Sequence, residues 1–533
     1  MSSRKYVFPI IFFLALHAAG NRSDAPSQNR TGVFTAEAAR PIVEFLAADS
    51  LMGRNTPGPG LDRAAGYLAE QFKAAGLRPV KDSYFQQVPL NRILLGDSNS
   101  VLLTGPDGTI RRLVFKDDFM PFEMTADKKV SGGIVFAGYG IRAPDIGYDD
   151  YAGIDARGKI VVALKSGPRL YDPESPFYFK RDLPYIKTAE KVRHAIERGA
   201  AGLLLINNPN ETGIFKPIGF PWPELSKGLS SESVPITLAA SEKKKIPVVH
   251  VGEEAARLLF GDMCRFKETA QRIDSTLSPD SFPIRGARAE IRTSTRVERF
   301  ATQNVVGWWP GRDKNEIVVI GAHYDHVPPV RATAGEDSIQ NGADDNASGT
   351  AGMVLVARAF ARSGQRPKRS IVFIAFAGEE KGLWGSEHYT DSALWPLSRT
   401  AAYLNLDMIG RNARDSLKIG GRRHSPDLYE LVLEENRGIG MHVEPLKDSE
   451  QGGSDHVPFD RKKIPNVFFH TGTHDDLHKP SDSADKIDYE KLASVADLCY
   501  RTARRAAESV KRPVFVESDR EKNLPPQPPR RSK

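Results

Sequence analysis

The sequence predicts an α/β protein whose main sheet is largely parallel and covered by helices on both faces. From about residue 300 to residue 505, short apolar strands alternate with helical stretches, the pattern of repeated strand–helix units. Between about residues 125 and 280 the strands are shorter and surround one helix, which is typical of a small separate α/β module. A chain of 533 residues is also too long for one ordinary domain.

Each predicted element follows from the spacing of apolar residues. Helical periodicity predicts helices at about 35–47 and 62–75, separated by the turn-rich segment 56–60. In the middle module we expect strands at 133–137, 159–164, 200–206 and 246–251, with a helix at about 188–198. In the last part we expect strands at 316–322, 370–377, 401–406 and 466–470, and helices at 348–362 and 489–510.

The two ends of the chain differ from the rest. Residues 1–20 combine the basic pair Arg4 and Lys5 with a short apolar stretch and small residues, which predicts a cleaved export signal; an uncleaved anchor is the alternative. Residues 21–34 are predicted to be a linker, and the charged, proline-rich residues 511–533 a disordered tail. We therefore expect an exported protein, periplasmic or extracellular, with no stable membrane span after signal cleavage.

The charge and the cysteine content exclude some classes of protein. The net charge of +7 is dispersed in short basic runs, and there is no nucleic-acid-binding motif, so nucleic acid is not expected as a partner. Cys264 and Cys499 are the two cysteines, far apart in sequence. Two buried free thiols are the simpler interpretation, although pairing stays open, and a zinc–thiolate site is not supported.

Candidate metal ligands follow the predicted strands, each at or just beyond a strand end. Loops at one edge of a sheet converge in space even when they are distant in sequence. The segments are His323-Tyr324-Asp325-His326, Asp344-Asp345-Asn346, Glu379-Glu380, Asp407 and His478.

These residue types suit a hydrolytic site with two metal ions. Each zinc ion needs three protein ligands and one open position, so two zincs that share a carboxylate need five ligands. A pair of metal ions binds the attacking water and polarises a carbonyl group, and a further carboxylate must move the proton. The adjacent pair Glu379-Glu380 suits this division, since one carboxylate binds metal while the other faces the water.

The order and spacing of these motifs resemble the co-catalytic zinc aminopeptidase family, which includes leucyl aminopeptidases, glutamate carboxypeptidases, glutaminyl cyclases and the transferrin receptor. The resemblance covers about residues 35–110 and 290–505, and the middle module is similar to the protease-associated domain. The motifs are residues 321–326 (GAHYDH), 341–349 (NGADDNASG), 378–382 (GEEKG), 405–410 (NLDMIG) and 478–482 (HKPSD).

The resemblance implies a fold and domain boundaries. The fold would be the three-layer zinc-exopeptidase fold with a mostly parallel mixed sheet. Residues 35–124 and 281–510 would form a discontinuous peptidase domain, with a protease-associated domain inserted at 125–280. The implied substrates are peptides with a free N-terminus, and the oligomeric state stays unknown.

The resemblance also implies a ligand set for two Zn²⁺ ions per chain. One zinc ion would be bound by His323 and Asp407, the other by Glu380 and His478, and Asp344 would bridge the two.

The resemblance further assigns the remaining residues of these motifs. Glu379 would act as general base and acid. Asp325 would hydrogen-bond His323 and hold its orientation. Asp345 would hold the backbone after the bridging residue.

Three other functions compete with an aminopeptidase. A carboxypeptidase or dipeptidase on the same metal core would need a cationic pocket for a terminal carboxylate, and Arg411 is a candidate for it. A non-catalytic receptor-like protein would not need all the ligands. A serine hydrolase built on Ser454-Asp455-His456 is disfavoured, because neighbours in sequence do not adopt triad geometry and no G-x-S-x-G turn is present.

Overall fold

The computed structural model describes residues 32–179, 184–211, 216–217, 219–220, 222, 235–239, 245–330, 335–447 and 453–517. The predicted export signal, most of the predicted linker and most of the predicted tail lie outside these residues. The helices are α1 (Ala36–Leu46), α2 (Pro59–Ala74), α3 (Thr188–Glu197), α4 (Glu253–Phe260), α5 (Met263–Thr276), α6 (Gly349–Ser363), α7 (Trp384–Asp391), α8 (Pro426–Asn436), α9 (His456–Arg461) and α10 (Tyr489–Glu508).

The strands belong to two large sheets and one short pair. They are β1 (Phe85–Leu95), β2 (Ser100–Thr104), β3 (Ile110–Arg112), β4 (Phe119–Pro121), β5 (Lys128–Phe136), β6 (Arg142–Ala143), β7 (Tyr148–Asp149), β8 (Ile160–Leu164), β9 (Gly202–Ile206), β10 (Ile236–Leu238), β11 (Val248–Val251), β12 (Phe282–Thr293), β13 (Thr295–Trp309), β14 (Asp313–His323), β15 (Arg369–Phe376), β16 (Thr400–Leu406), β17 (Ser416–Gly420), β18 (His442–Pro445) and β19 (Asn466–His470).

The main sheet has nine strands in the order β10-β1-β13-β15-β14-β16-β19-β17-β18. Its centre is parallel, since β14 pairs in parallel with β15 and β16, and β16 pairs in parallel with β19. Antiparallel pairs flank the centre, formed by β1 with β13 and by β17 with β19. The α/β fold class with a mixed sheet is therefore confirmed, and the long antiparallel strands β1 and β13 are elements that the sequence analysis did not predict.

Helices cover both faces of the central strands. Alternate residues of β14 enter different cores: Val318 packs with the cluster that includes α1, α2, α6 and α10, whereas Val319 packs with residues of α7 and α9. Every residue of β15 and β16 is buried. Strands covered on both faces carry nearly continuous apolar sequence, which is why periodicity predicted them as buried strands.

Local signals explain where the covering helices begin. The Thr35 side chain accepts a hydrogen bond from the Ala38 amide at the start of α1, and Asp488 accepts one from the Lys491 amide at the start of α10. Helix α2 begins at Pro59, earlier than predicted, because proline is suited to the first helical position.

The second sheet has eight strands in the order β3-β2-β12-β5-β8-β9-β11-β4. It extends beyond the predicted insertion of residues 125–280 on both sides, because β2, β3 and β4 precede that range and β12 follows it. Conversely, β10 lies inside the range but pairs with β1 of the main sheet. The boundary of the second sheet therefore differs from the boundary of the predicted insertion, because strands distant in sequence pair with one another.

Two further observations concern the chain as a whole. Both cysteines are unpaired; Cys499 is buried as expected, but Cys264 is exposed, so the expectation of two buried thiols is wrong for Cys264. Cys264 lies in α5, which turns that position outward. None of the helices in the described ranges combines the length and the apolar character that crossing a bilayer requires.

Candidate metal centre

The candidate site lies at the edge of the main sheet where the parallel strands end. Strand β14 ends at His323, and β16 ends one residue before Asp407. Strand β15 ends three residues before Glu379, and the loop after β19 carries His478. The edge beyond the carboxyl ends of parallel strands is the usual place for ligand sites in such sheets.

One group of side chains is centred on the His323 imidazole. Its Nε2 atom lies 3.3 Å from Asp345 Oδ1, 3.4 Å from Asp407 Oδ1 and 4.0 Å from Glu379 Oε2. The Nδ1 atom of His323 lies 3.2 Å from the main-chain oxygen of Asp325 and is placed to donate to it, which leaves the Nε2 lone pair directed into the group. His323, Glu379 and Asp407 therefore form a largely buried set of potential metal ligands.

A second group forms around the other oxygen of Asp345. Asp345 Oδ2 lies 3.0 Å from His478 Nε2, and Glu380 Oε1 lies 3.2 Å from the same nitrogen. His326 Nδ1 lies 2.9 Å from Glu380 Oε1 and 3.7 Å from Asp345 Oδ2. These four residues have ligand atoms close enough to surround one cation.

The donor set and its spacing fit two zinc ions. Ligand atoms arranged tetrahedrally at zinc–ligand distances are about 3.3 Å apart, close to the separations in both groups. The two carboxylate oxygens of Asp345 face different groups, as a bridging ligand requires. The buried Asp407 Oδ1 has no hydrogen-bond partner among the described residues, which leaves it free to bind a cation.

Asp344 does not lie with the other predicted ligands. Its Oδ1 atom accepts a hydrogen bond of 2.7 Å from the Gly410 amide, and its Oδ2 atom lies 3.2 Å from His474 Nε2. The prediction that Asp344 joins the cluster is therefore wrong, and Asp345 occupies that place. The turn explains the difference: the amides of both Asp344 and Asp345 donate to Asp482, and this turns the two side chains in different directions.

The Asp325 carboxylate also differs from its expected role. Its Oδ1 atom lies 3.8 Å from His323 Nδ1, too far for a hydrogen bond, whereas the main-chain oxygen of Asp325 accepts from that ring. The carboxylate instead accepts from the Glu379 amide at 3.1 Å and from the Thr56 hydroxyl at 3.0 Å. Asp325 therefore orients His323 through its backbone and holds the Glu379 backbone through its side chain.

Glu379 lies in a nearly dry and strongly acidic environment. Burial raises the pKa of Glu379 well above its ordinary value, and Asp455 and Asp407 raise it further, against the opposing attraction of His323. Burial likewise raises the pKa of Asp455 to about 7. A carboxyl group whose pKa is raised in this way is suited to exchanging protons near neutral pH.

The histidines of the site experience a strongly negative potential. Burial lowers the pKa of His323, but Asp407 and Glu379 outweigh burial, so the pKa lies well above its ordinary value. Hydrogen bonds with Asp345 and Glu380 raise the pKa of His478 to about 10. The charges that hold a proton on these rings would attract a metal cation in the same way.

Ser454 supports Asp407 and does not form a catalytic triad. Its hydroxyl donates to Asp407 Oδ2 at 2.7 Å and accepts from Asn405 Nδ2 at 2.8 Å. The His456 ring stacks on Phe468, with ring centroids 4.6 Å apart. The serine-hydrolase alternative therefore has no geometric support.

Arg54 is a functional candidate that sequence reasoning missed. Its fully buried guanidinium donates to the main-chain oxygens of Tyr324, Asn341 and Gly342, at 2.8, 2.7 and 3.0 Å, and also to Leu46. It thus connects the loop after β14 to the turn that carries Asp345. A lone arginine in a turn-rich segment gives no sequence signal for this role.

Arg411, the candidate carboxylate receptor, is occupied by acidic partners. Its Nη2 atom donates to Asp476 Oδ2 at 2.7 Å, and its Nη1 atom lies 3.8 Å from Asp482 Oδ1. Asp476 also pairs with Lys486. This arginine is therefore held within an ion-pair network.

Two family models match the chain. Residues 304–503 match peptidase family M28, and residues 126–259 match the PA domain. The first range includes every member of both ligand groups, and the second falls within the region of the second sheet.

The proteins similar to this chain include one named an aminopeptidase and one named a probable glutamate carboxypeptidase. The aminopeptidase YwaD of Bacillus subtilis is 27% identical over 396 residues, which cover 71% of this chain and 70% of that protein. A probable glutamate carboxypeptidase of Arthroderma benhamiae is 30% identical over 161 residues, which cover 30% of this chain and 20% of that protein.

A solved structure shares the fold. The aminopeptidase from Aneurinibacillus sp. strain AM-1 aligns with a TM-score of 0.50 at 21% identity, covering 94% of this chain and 98% of that one.

Proposed function

We propose that this chain is a two-zinc aminopeptidase that removes residues from the free N-terminus of peptides, because residues 304–503 match peptidase family M28 and a similar protein is named an aminopeptidase. The observation that carries the proposal is the position of Asp345, whose two carboxylate oxygens face two separate ligand groups at 3.3 and 3.0 Å. One of the relatives that match along most of this chain is named an aminopeptidase.

The proposed ligands divide between the two groups. His323 and Asp407 would hold one ion, Glu380 and His478 the other, and Asp345 both. Zinc ions at these positions would supply Lewis-acid chemistry, lowering the pKa of a water molecule and polarising the peptide carbonyl.

Glu379 is the proposed proton carrier. It lies beside the first ligand group, 4.0 Å from His323 Nε2, and burial raises its pKa. Its carboxylate accepts a proton from the attacking water and then donates that proton to the departing amine. The hydrogen bond from the Glu379 amide to Asp325 holds the backbone so that this side chain stays at the site.

The contacts of Arg411 favour an N-terminal substrate over a C-terminal one. A carboxypeptidase needs a cation that receives the terminal carboxylate, and Arg411 is held by Asp476 and Asp482. A receptor-like protein would not need two complete ligand groups, so a catalytic role explains the site better.

We further propose that the enzyme works outside the cytoplasm. The basic start and the short apolar stretch of residues 1–20 support this location. Sequencing the N-terminus of protein recovered from the medium or the periplasm tests it, and a chain that still begins at Met1 in the cytoplasm contradicts it.

The decisive experiment compares substrates and a variant. An aminoacyl-anilide should be cleaved, and the same compound with a blocked amine should not be. The Glu379→Gln variant should retain about two zinc ions per chain, yet its kcat should fall by about 10²–10⁴-fold, because general acid–base catalysis contributes that much. Glu387→Gln, which alters an acidic residue paired with Arg461, serves as the control.

Two results contradict the proposal. Cleavage of the blocked substrate alone contradicts N-terminal specificity. A turnover number of Glu379→Gln close to that of the unmodified protein contradicts the proton-transfer role.

A further inference from the structure

The second ligand group contains a histidine for which the proposed function has no role. His326 is fully buried, and its ring lies edge-on to His478 with centroids 5.4 Å apart. Its Nδ1 atom lies 2.9 Å from Glu380 Oε1, a hydrogen-bond distance, whereas Asp345 Oδ2 is 3.7 Å away.

The surrounding backbone holds this ring firmly. The His326 amide donates to the main-chain oxygen of Arg54 at 3.4 Å, and Asn55 forms a β-bridge with His326. Gly342 lies so close to the ring that a Cβ atom there would fall 2.5 Å from it. A ring packed in this way presents one fixed nitrogen to Glu380.

The other ring nitrogen indicates the proton's position. His326 Nε2 is buried and has no hydrogen-bond partner among the described residues. A proton on Nε2 would be a buried donor without an acceptor, which is costly, and the bare Nδ1 would then face the Glu380 oxygen. A proton on Nδ1 instead donates to Glu380, so the tautomer that serves the carboxylate is favoured.

We propose that His326 is a positioning residue that donates a hydrogen bond from Nδ1 to Glu380 and thereby directs this carboxylate toward the second zinc ion. The inference rests on the proposed two-zinc function. Residues that hydrogen-bond to metal-binding carboxylates raise the affinity for the metal, and their loss typically lowers that affinity 10–100-fold. The corresponding support on the first group is the Ser454 hydroxyl, which holds Asp407 at 2.7 Å.

Two substitutions separate a donor from a metal ligand. The side-chain amide of His326→Asn places an N–H group near the position of Nδ1 but is a poor zinc ligand, whereas His326→Ala removes the donor. His474→Ala is the matched control, because it removes a buried imidazole that faces Asp344 and not Glu380.

The experiment measures zinc affinity by competition with a chromophoric chelator, starting from metal-depleted protein. His326→Ala should lower the zinc affinity of one of the two sites by about 10–100-fold, and His326→Asn should lower that affinity by less than about tenfold. His474→Ala should retain both affinities. Circular dichroism of each metal-depleted variant checks that the fold is intact.

The possible results distinguish the two proposals. Unmodified protein that binds no zinc overturns the proposed function together with this inference. If the unmodified protein binds two zinc ions and His326→Ala binds them with the same affinity, the inference alone is overturned. It is also overturned if the zinc affinity of His326→Asn is as low as that of His326→Ala. If the variants do not fold, a crystal structure of the zinc-loaded unmodified protein decides: the inference requires His326 Nδ1 beside Glu380 and fails if Nδ1 lies about 2.0–2.1 Å from zinc.

Discussion

The main sheet and the second sheet each bury a cluster of charged side chains, and the two clusters satisfy their charges differently. In the second sheet, the cluster is centred on Asp150 and Lys191, both almost completely buried. Asp150 accepts hydrogen bonds of 3.0 Å from the Tyr139 amide, the Ile141 amide and the Tyr148 hydroxyl. Lys191 donates to the main-chain oxygens of Tyr139 and Leu164.

At the edge of the main sheet, the charged atoms face one another. His323 Nε2 lies between the carboxylates of Asp345 and Asp407, and the buried Asp407 Oδ1 has no hydrogen-bond donor among the described residues. Buried polar groups are normally paired, so this arrangement needs a cation to complete it. Burial of charge therefore does not by itself mark a functional site, whereas the convergence of several charged groups around an unsatisfied atom such as Asp407 Oδ1 does.

The largest expected effect tests the residue that joins the two ligand groups. Asp345→Asn should weaken zinc binding by more than about 100-fold, because it removes a proposed ligand of both ions and not merely an outer partner. Asp344→Asn should bind two zinc ions, since its Oδ1 can still accept from the Gly410 amide. Zinc content after dialysis measures both; equal loss in the two variants contradicts the assignment of Asp345.

Removal of metal should affect the cluster at the edge of the main sheet and not the cluster around Asp150 and Lys191. Chelation should abolish peptidase activity and lower the melting temperature, because a ligand that binds only the folded state stabilises it. Added zinc should restore both. Near-ultraviolet circular dichroism and calorimetry follow the change, and an unchanged melting temperature would argue that the carboxylates do not depend on a cation.

A smaller and purely structural effect is expected in the second sheet. Lys191→Met should lower the free energy of unfolding by about 1–3 kcal/mol, because it leaves the buried main-chain oxygens of Tyr139 and Leu164 without this donor. Its zinc content and its kcat per folded molecule should be unchanged. Denaturant titration measures the stability, and a loss of zinc in this variant would contradict the separation of the two clusters.

The smallest effect is expected for an exposed ion pair in the same sheet. Lys129 on β5 contacts Glu290 on β12 at 2.8 Å, with both side chains well exposed. Lys129→Met should leave the unfolding midpoint almost unchanged, since exposed pairs contribute little. A shift as large as that of Lys191→Met would mean that burial is not what separates the two positions.

Much of the fold could be predicted from periodicity. The central strands β14, β15, β16 and β19 and the helices α6 and α10 lie within three residues of their predicted bounds. They are predictable because strands buried on both faces carry continuous apolar runs, and long helices have a clear period. Strand β13 was missed because its first half is mostly exposed and its burial does not alternate. Strand β1 was missed because polar Gln86 shares its buried face with Val88 and Leu90.

The types of ligating side chain and their positions at strand ends follow from the amino-acid sequence alone. The candidate ligands His323, Glu380, Asp407 and His478 could therefore be proposed as a set, because strand order brings their loops to one edge.

The tertiary contacts determine which of the two adjacent aspartates faces the cluster, that His326 joins it, and that Arg54 holds the backbone of its loops. These positions depend on hydrogen bonds with distant residues: the turn amides donate to the Asp482 carboxylate, and Arg54 donates to the main-chain oxygen of Asn341. Spacing along the chain contains no information about such contacts, since neighbouring side chains in an irregular turn can point in opposite directions.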